Sequence, residues 1–141
     1  MSTPQPLSIL DQNKQLAMRW FEEVWNQGRR ETIHELFAPE GVLHDGAATY
    51  RGPEEFLRFY EGLRSQFFDV RVTPLLAVAE GDLACLHWSA AFRHAPTDKP
   101  IQITGTSIVR VRDGQFVETW QNWDAAGLVT QLTDNPVAAF L

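Results

Sequence analysis

The residues best suited to chemistry lie near the C-terminus of this 141-residue chain, where a predicted strand ends on a carboxylate. The dipeptide Asp113-Gly114 predicts a tight hairpin turn, because glycine accepts the positive φ that such turns need. A strand then starts at Gln115, and its side chains alternate between two faces. Counting along the strand predicts one shared face for Phe116, Glu118, Trp120, Asn122 and Asp124.

Asp124 ends this strand beside large aromatic rings, which favours a role in proton transfer. A carboxylate that is short of water is harder to ionise and can act as a base near neutral pH. Such a base removes the proton beside a carbonyl, as an aldol ring closure or a double-bond shift requires. The structural alternative is that Asp124 caps a helix that begins at Ala125. Both roles stay open.

Two histidines at predicted strand ends, His44 and His94, could hydrogen-bond a substrate oxygen, since imidazole titrates near physiological pH. A structural histidine bonded to backbone is the alternative for each. The four histidines lack close ligand spacing such as His-x-His, so we expect no metal site. Glu118 could raise the pKa of a neighbouring carboxylate, but an ion pair with Arg110 across the hairpin is the favoured interpretation.

Length and charge limit the function classes that the whole chain can belong to. We expect one domain spanning residues 1–141, with loosely ordered tails at 1–7 and 133–141. The net charge is −6 and the 12 Lys and Arg residues are scattered, which argues against nucleic acid as a partner. The single cysteine, Cys85, excludes an intrachain disulfide. Without a signal-peptide pattern or a membrane-spanning run, we expect a cytoplasmic protein with no membrane partner.

Helical periodicity comes first along the chain and strand periodicity follows, which predicts an α+β fold. We expect a curved antiparallel sheet wrapped around the N-terminal helices, forming a cone with an internal pocket. Pro74 predicts an edge position or a bulge in the first long strand, and Gly105 predicts a bulge in a later one. The helices are predicted at 8–27, 31–37 and from 53 onward, and the strands at 42–44, 70–79, 83–94, 101–112 and from 115 onward.

Several short motifs occur along the chain in an order that is informative as a set. They are Trp20–Gly28, Leu36–Glu40, His44, Tyr50–Pro53, Glu80–Asp82, the strand ending in His94, Thr104-Gly105, Asp113-Gly114 through Trp120, and Asp124–Leu132. Their order and spacing resemble the SnoaL-like polyketide cyclase and ester cyclase family, within the nuclear-transport-factor-2-like superfamily of α+β cones. The resemblance covers the chain from about Asn13 to Leu132.

This resemblance implies a role for particular residues. In characterised cyclases of the family, an Asp on the final strand acts as general acid/base in an intramolecular aldol closure, without metal or organic cofactor. That role would fall on Asp124, and His94 looks like the family's histidine after the long central strand. The resemblance also implies a homodimer, which would cover apolar residues on the open sheet.

The leading hypothesis is a cofactor-independent cyclase or isomerase acting on a small hydrophobic, polyketide-like carbonyl compound. Asp124 would be its acid/base, and His44 or His94 would bind the substrate oxygen. One alternative is a ligand-binding or dimer-scaffold domain without catalysis, and another is an epoxide hydrolase that uses Asp69, Arg71 and Asp124. We expect the pocket walls to include Trp20, Trp88, Trp120, Phe59, Tyr50 and Asn122.

Overall fold

A computed structural model describes residues 5–134 of the chain. Residues 1–4 and 135–141, where most of the two predicted tails fall, lie outside the described residues. The four helices are α1 Ile9–Trp20, α2 Arg30–Leu36, α3 Gly52–Gln66 and α4 Ala125–Thr133. The six strands are β1 Phe37–Asp45, β2 Ala48–Arg51, β3 Phe67–Glu80, β4 Leu83–His94, β5 Pro100–Arg112 and β6 Gln115–Trp123.

The strands form one curved, unclosed sheet in the order β2-β1-β6-β5-β4-β3. Neighbouring strands are antiparallel except β1 and β6, which run parallel. The predicted α+β fold with a curved sheet around helices is therefore confirmed, with one parallel pair added. Strands joined by a hairpin must be antiparallel, whereas β1 and β6 are far apart in sequence and no turn fixes their relative direction.

The core lies between the helices and one face of the sheet, which we call the inner face. The helices contribute buried side chains such as Ala17, Val24 and Tyr60, and the inner face of β4 contributes Leu86 and Trp88. These apolar residues recur at helical spacing in α1 and α3 and at every second position in β4, so each element buries one side. The face of the sheet turned away from the helices is the outer face.

The first helix does not stay regular to its predicted end at Gln27. After α1, residues Phe21–Asn26 form a π-helix, in which the backbone N–H of Gln27 donates to the backbone carbonyl of Glu22 at 3.0 Å. The Asn26 side chain fixes this segment to β3, because its amide donates to the Val72 carbonyl at 2.9 Å and accepts from the Val72 N–H at 2.6 Å. Such insertions are frequent at functional sites.

The two strand irregularities predicted from Pro74 and Gly105 have different outcomes. β3 is an edge strand and its register shifts between Pro74 and Leu76, so the first prediction is confirmed. The predicted bulge at Gly105 is wrong, since β5 pairs without interruption there. Glycine is needed for space instead: a Cβ at this position would lie 2.3 Å from Cζ2 of Trp88.

Candidate functional site

A cavity of about 110 Å³ lies between the helices and the inner face of the sheet. Its buried floor is apolar throughout. An engineered apolar cavity of about 150 Å³ holds benzene, so this smaller one takes at most one ring, with the rest of a larger ligand at the rim. The floor consists of Phe21, Val72, Trp88, Ala90 and Ile103, and the partly exposed rim includes Trp25, Leu63, Arg64, Gln121, Trp123 and Leu128.

A bulge in β6 decides which of its side chains reach this cavity. Phe116 pairs with Val111 and Glu118 pairs with Arg110, which leaves Val117 as an extra residue. An extra residue reverses the alternation of faces beyond it. Phe116 is therefore buried on the inner face, but Glu118 and the residues in step with it lie on the outer face.

The reversal corrects the predicted face of the closing strand. Gln121 and Trp123, which the simple alternation puts on the opposite side, line the cavity. Trp120 and Asn122 lie on the outer face, so they do not form the pocket wall expected of them. Trp120 stacks there on His44 with ring centres 5.8 Å apart.

Asp45, at the end of β1, is a functional candidate that the sequence interpretation missed. It lies on the same side of β1 as the buried Leu43 and is the register partner of Gln121 on β6. Its Oδ1 accepts a hydrogen bond from Nε1 of Trp123 at 3.0 Å. The dipeptide Asp45-Gly46 is typical of a turn, and the predicted strand 42–44 ends one residue too early to include Asp45.

The surroundings of Asp45 change its acidity in the direction that general base catalysis needs. Burial raises the pKa of this half-buried carboxyl above its ordinary 3.8, and the hydrogen bond from Trp123 opposes that change only in part. Its second oxygen, Oδ2, accepts no hydrogen bond from the described residues. A basic carboxylate with one oxygen available can therefore take a proton, directly or through one water.

Gln121 supplies the uncharged polar group of the cavity wall. Its side-chain amide makes no hydrogen bond within the described part of the chain. Because the amide has two N–H donors, it can donate to an oxygen on a bound molecule. Asp45 and Gln121, paired in register on neighbouring strands, thus combine a base with a hydrogen-bond donor.

The structure puts Asp124 at the surface. Its Oδ1 accepts a hydrogen bond from the N–H of Gly127 at 2.8 Å, so it caps α4. The helix-cap interpretation is confirmed. Asp124 is exposed and does not line the cavity, although its N–H still pairs with Thr104 of β5.

The two predicted catalytic histidines lie in separate places. His44 is on the outer face, with Nε2 2.8 Å from Oε2 of Glu118. Arg110 completes this cluster at 4.0 Å from Glu118, so the favoured ion pair is confirmed. His94 ends β4, where its Nδ1 is 2.8 Å from Oγ1 of Thr97 in the following turn. Neither histidine lines the cavity, and Asp124, His44 and His94 do not come together.

The other predicted pocket residues are divided among different regions. Trp88 lines the main cavity, whereas Trp20 lines a smaller void of about 20 Å³. Tyr50 and Phe59 pack against each other with ring centres 4.6 Å apart, and neither lines a described cavity. The three residues suggested for epoxide hydrolysis do not form a cavity network either, because Asp69 and Arg71 are exposed on β3.

The outer face carries an apolar row that crosses four strands in register. Val78, Cys85, Ile108 and Trp120 are successive partners, and Val78 is 62% exposed. The predicted homodimer stays a prediction, and this row is a surface that it could cover.

Within residues 5–134, no group of three or more His, Cys, Asp or Glu side chains could hold a metal ion. No helix in that range is long and apolar enough to cross a membrane.

Comparison with known proteins identifies the family. The model of the SnoaL-like domain matches residues 17–119, so the chain belongs to the SnoaL-like domain family. The resemblance inferred from the motifs is thereby confirmed. No curated protein matches the chain.

Three solved structures are similar to this chain over most of its length. IdmH, a candidate polyketide cyclase from Streptomyces antibioticus, is 30% identical and superimposes with a TM-score of 0.77, covering 86% of this chain and 98% of its own. A candidate polyketide cyclase from Acidithiobacillus ferrooxidans is 25% identical with a TM-score of 0.79, covering 91% and 99%. A candidate SnoaL-like polyketide cyclase from Jannaschia sp. CCS1 has a TM-score of 0.84 at 19% identity, covering 95% and 100%, which shows a shared fold.

Proposed function

We propose that this protein is a cofactor-independent enzyme that moves a proton beside the carbonyl group of a small hydrophobic compound, leading to cyclisation or isomerisation. The observation that carries the proposal is the half-buried Asp45 carboxylate, bonded to Trp123 of the cavity wall. Membership of the SnoaL-like family and the likeness to candidate polyketide cyclases support the same class of reaction.

The proposed step uses two groups on adjacent strands. The Asp45 carboxylate takes the proton from the carbon beside the substrate carbonyl, and the C–H electron pair becomes the enolate double bond. The carbonyl oxygen gains the negative charge and accepts a hydrogen bond from the Gln121 amide. Stabilising that oxygen lowers the barrier, since the charge is larger in the transition state than in the substrate. For cyclisation, the enolate carbon attacks a second carbonyl, whose oxygen takes up the proton that Asp45 removed. For isomerisation, Asp45 returns that proton to another carbon of the conjugated enolate.

The floor of the cavity suits this chemistry for a second reason. Phe21, Trp88 and Ile103 exclude water from around the ring of a bound substrate. A base and a donor at the edge of such a dry site interact more strongly with the reacting atoms than they would in water. The proposed substrate is therefore an apolar compound with one ring in the cavity and its carbonyl towards Gln121.

Exchange of the hydrogens beside the carbonyl of benzylacetone, followed by NMR in deuterium oxide, tests the proposal. The wild-type protein should accelerate exchange, and Asp45→Asn should reduce the rate by about 100-fold or more, because general base catalysis commonly contributes that much. Asp124→Asn is the matched comparison, since it makes the same change at the other strand-end carboxylate and should keep most of the rate. Loss with Asp124→Asn and retention with Asp45→Asn would assign the base to Asp124 and refute the proposal.

A ligand-binding protein without catalysis is the second candidate. It is favoured by the absence of any carboxylate from the cavity wall itself within residues 5–134. Benzylacetone would then quench the fluorescence of the cavity tryptophans while its exchange rate equalled that of buffer alone. Exchange that depends on Asp45 would exclude this candidate.

A further inference from the structure

Arg64, near the end of α3, is the single charged side chain in the cavity wall that the structure describes. It is partly exposed at the rim. Its Nη1 donates to the carbonyl oxygen of Trp25 at 2.8 Å, and its guanidinium carbon lies 5.3 Å from the centre of the Tyr60 ring. These two contacts fix the position of the guanidinium without supplying a negative charge, and Glu61, one turn earlier on α3, interacts with it electrostatically only from beyond ion-pair distance.

Arg64 has no carboxylate oxygen within 4.0 Å among residues 5–134. Arg51, Arg58, Arg71 and Arg112 share this property, but all four are exposed, whereas Arg64 is partly buried and lines the cavity. A guanidinium has five N–H donors, and one bond to Trp25 leaves most of them available. Arginine also matches the planar geometry of a carboxylate better than other cations do.

We propose that the ligand of this cavity carries an anionic oxygen group, such as a carboxylate, and that Arg64 binds it at the rim. This inference rests on the proposed function, because it assumes that the cavity receives a substrate. A volume of about 110 Å³ takes at most one ring over the apolar floor, so the polar end of the molecule lies at the opening. The substrate class is thereby narrowed to apolar carbonyl compounds that also bear a carboxylate.

The paired probes cinnamate and cinnamamide test the inference, since they share a ring and side chain and differ in charge. Trp25, Trp88 and Trp123 line the cavity, so quenching of tryptophan fluorescence reports binding. The wild-type protein should bind cinnamate more tightly than cinnamamide. Arg64→Gln should weaken cinnamate binding by roughly tenfold, because a hydrogen bond to a charged group is lost, and leave cinnamamide binding unchanged.

Two further variants separate the charge from the fold. Arg64→Lys keeps a cation and should retain part of the preference for cinnamate, which keeps the test valid if Arg64→Gln fails to fold. Arg58→Gln makes the same substitution at an exposed position of α3 outside the cavity wall and should bind both probes like the wild type. Added NaCl should weaken cinnamate binding and not cinnamamide binding, since partly exposed charges are screened.

Each contrary result has a separate meaning. Equal affinities for the two probes, unchanged in Arg64→Gln, would overturn the role of Arg64 while leaving the cavity as a binding site. Binding of neither probe by the wild-type protein would overturn this inference as well as the ligand assumed in the proposed function. Preference for cinnamate together with no exchange of benzylacetone would remove the catalytic proposal and leave the anion site standing.

Discussion

His44 and Asp45 are consecutive residues of β1, yet they belong to two different environments. The outer face around His44 is a partly exposed network in which ring stacking and the carboxylate of Glu118 fix the imidazole. On the inner face, the Asp45 carboxylate accepts a single hydrogen bond, from the indole N–H of Trp123, and Trp123 in turn lines the apolar cavity. His44 thus has two partners, the Trp120 ring and the Glu118 carboxylate, whereas the Asp45 carboxylate has one, the indole N–H of Trp123.

This difference indicates which polar side chains of the sheet are available to interact with a ligand. A side chain whose charge is already matched by neighbours has less to gain from a ligand, and the His44–Glu118–Arg110 cluster is of that kind. Asp45 and Gln121 keep an oxygen and an amide without partners in the described chain. Perturbed and under-partnered groups beside a cavity are typical of functional sites, whereas satisfied networks usually contribute to structure.

The largest expected effect on stability comes from filling the inner face, where packing is tight. Gly105→Ala would bring its Cβ to 2.3 Å from Trp88, and the indole is held by a bond of 3.1 Å from Nε1 to Oγ of Ser107. The free energy of unfolding should fall by about 1–3 kcal/mol, as for other overpacked cores, and cinnamate binding should weaken. Urea unfolding measures the first effect and fluorescence titration the second.

The matching change on the outer side of the same strand is Thr104→Ala, at an exposed position. It should alter the free energy of unfolding by no more than about 0.5 kcal/mol. If the two variants were equally stable, the inner face would be able to relax around an added methyl group, and the contrast between a tight inner face and a tolerant outer one would not hold.

A smaller effect is expected at Asp124, the exposed carboxylate that ends the next strand. Asp124→Ala removes the acceptor for the Gly127 N–H and should lower the free energy of unfolding by about 0.5–2 kcal/mol. Asparagine caps helices about as well as aspartate, so Asp124→Asn should be close to the wild type in urea unfolding. Both variants should still catalyse hydrogen exchange in benzylacetone. A stable but inactive Asp124→Asn variant would mean that the catalytic carboxylate is the exposed Asp124 and not Asp45.

The fold was largely predictable because it depends on patterns that repeat along the chain. Apolar residues at helical spacing in α1 and α3, and at every second position in β4 and β5, specify which side of each element is buried. The π-helix at Phe21–Asn26 was not predictable in this way, since it depends on Asn26 bonding to β3. The family was predictable from a different feature of the sequence, the order and spacing of the short motifs.

The candidate site was only partly predictable, because a single residue changes the relation between position and face. Val117 is an extra residue only in relation to Val111 and Arg110 on the neighbouring strand, and the sequence of β6 alone does not reveal this. If the side chains of β6 are assigned to faces without this bulge, Trp120 is predicted to line the pocket, whereas in the structure Trp123 lines it. Asp45 was missed because Asp-Gly suggests a turn, although this Asp is also the last residue of a strand paired in parallel with β6.

The smallest expected effect comes from replacing Trp123 by Phe, which tests how the inner face sets the pKa of Asp45. The Trp123 hydrogen bond lowers the pKa of Asp45 while burial raises it, so removing the indole N–H should raise that pKa further. Only the ionised carboxylate accepts a proton, and the exchange rate of benzylacetone therefore falls as the pH drops through this pKa. The acidic limb of the pH–rate profile should thus move to higher pH in Trp123→Phe.

Trp120→Phe is the outer-face counterpart, since Trp120 lies three residues before Trp123 on the same strand and contacts His44 and Arg110, whereas the hydrogen bond to Asp45 comes from Trp123. Its acidic limb should coincide with that of the wild-type protein. A shift in Trp120→Phe without one in Trp123→Phe would mean that the titrating group lies on the outer face, with His44 and Glu118. The pair of profiles therefore decides which face of the sheet holds the base, independently of how much either variant changes the maximal rate.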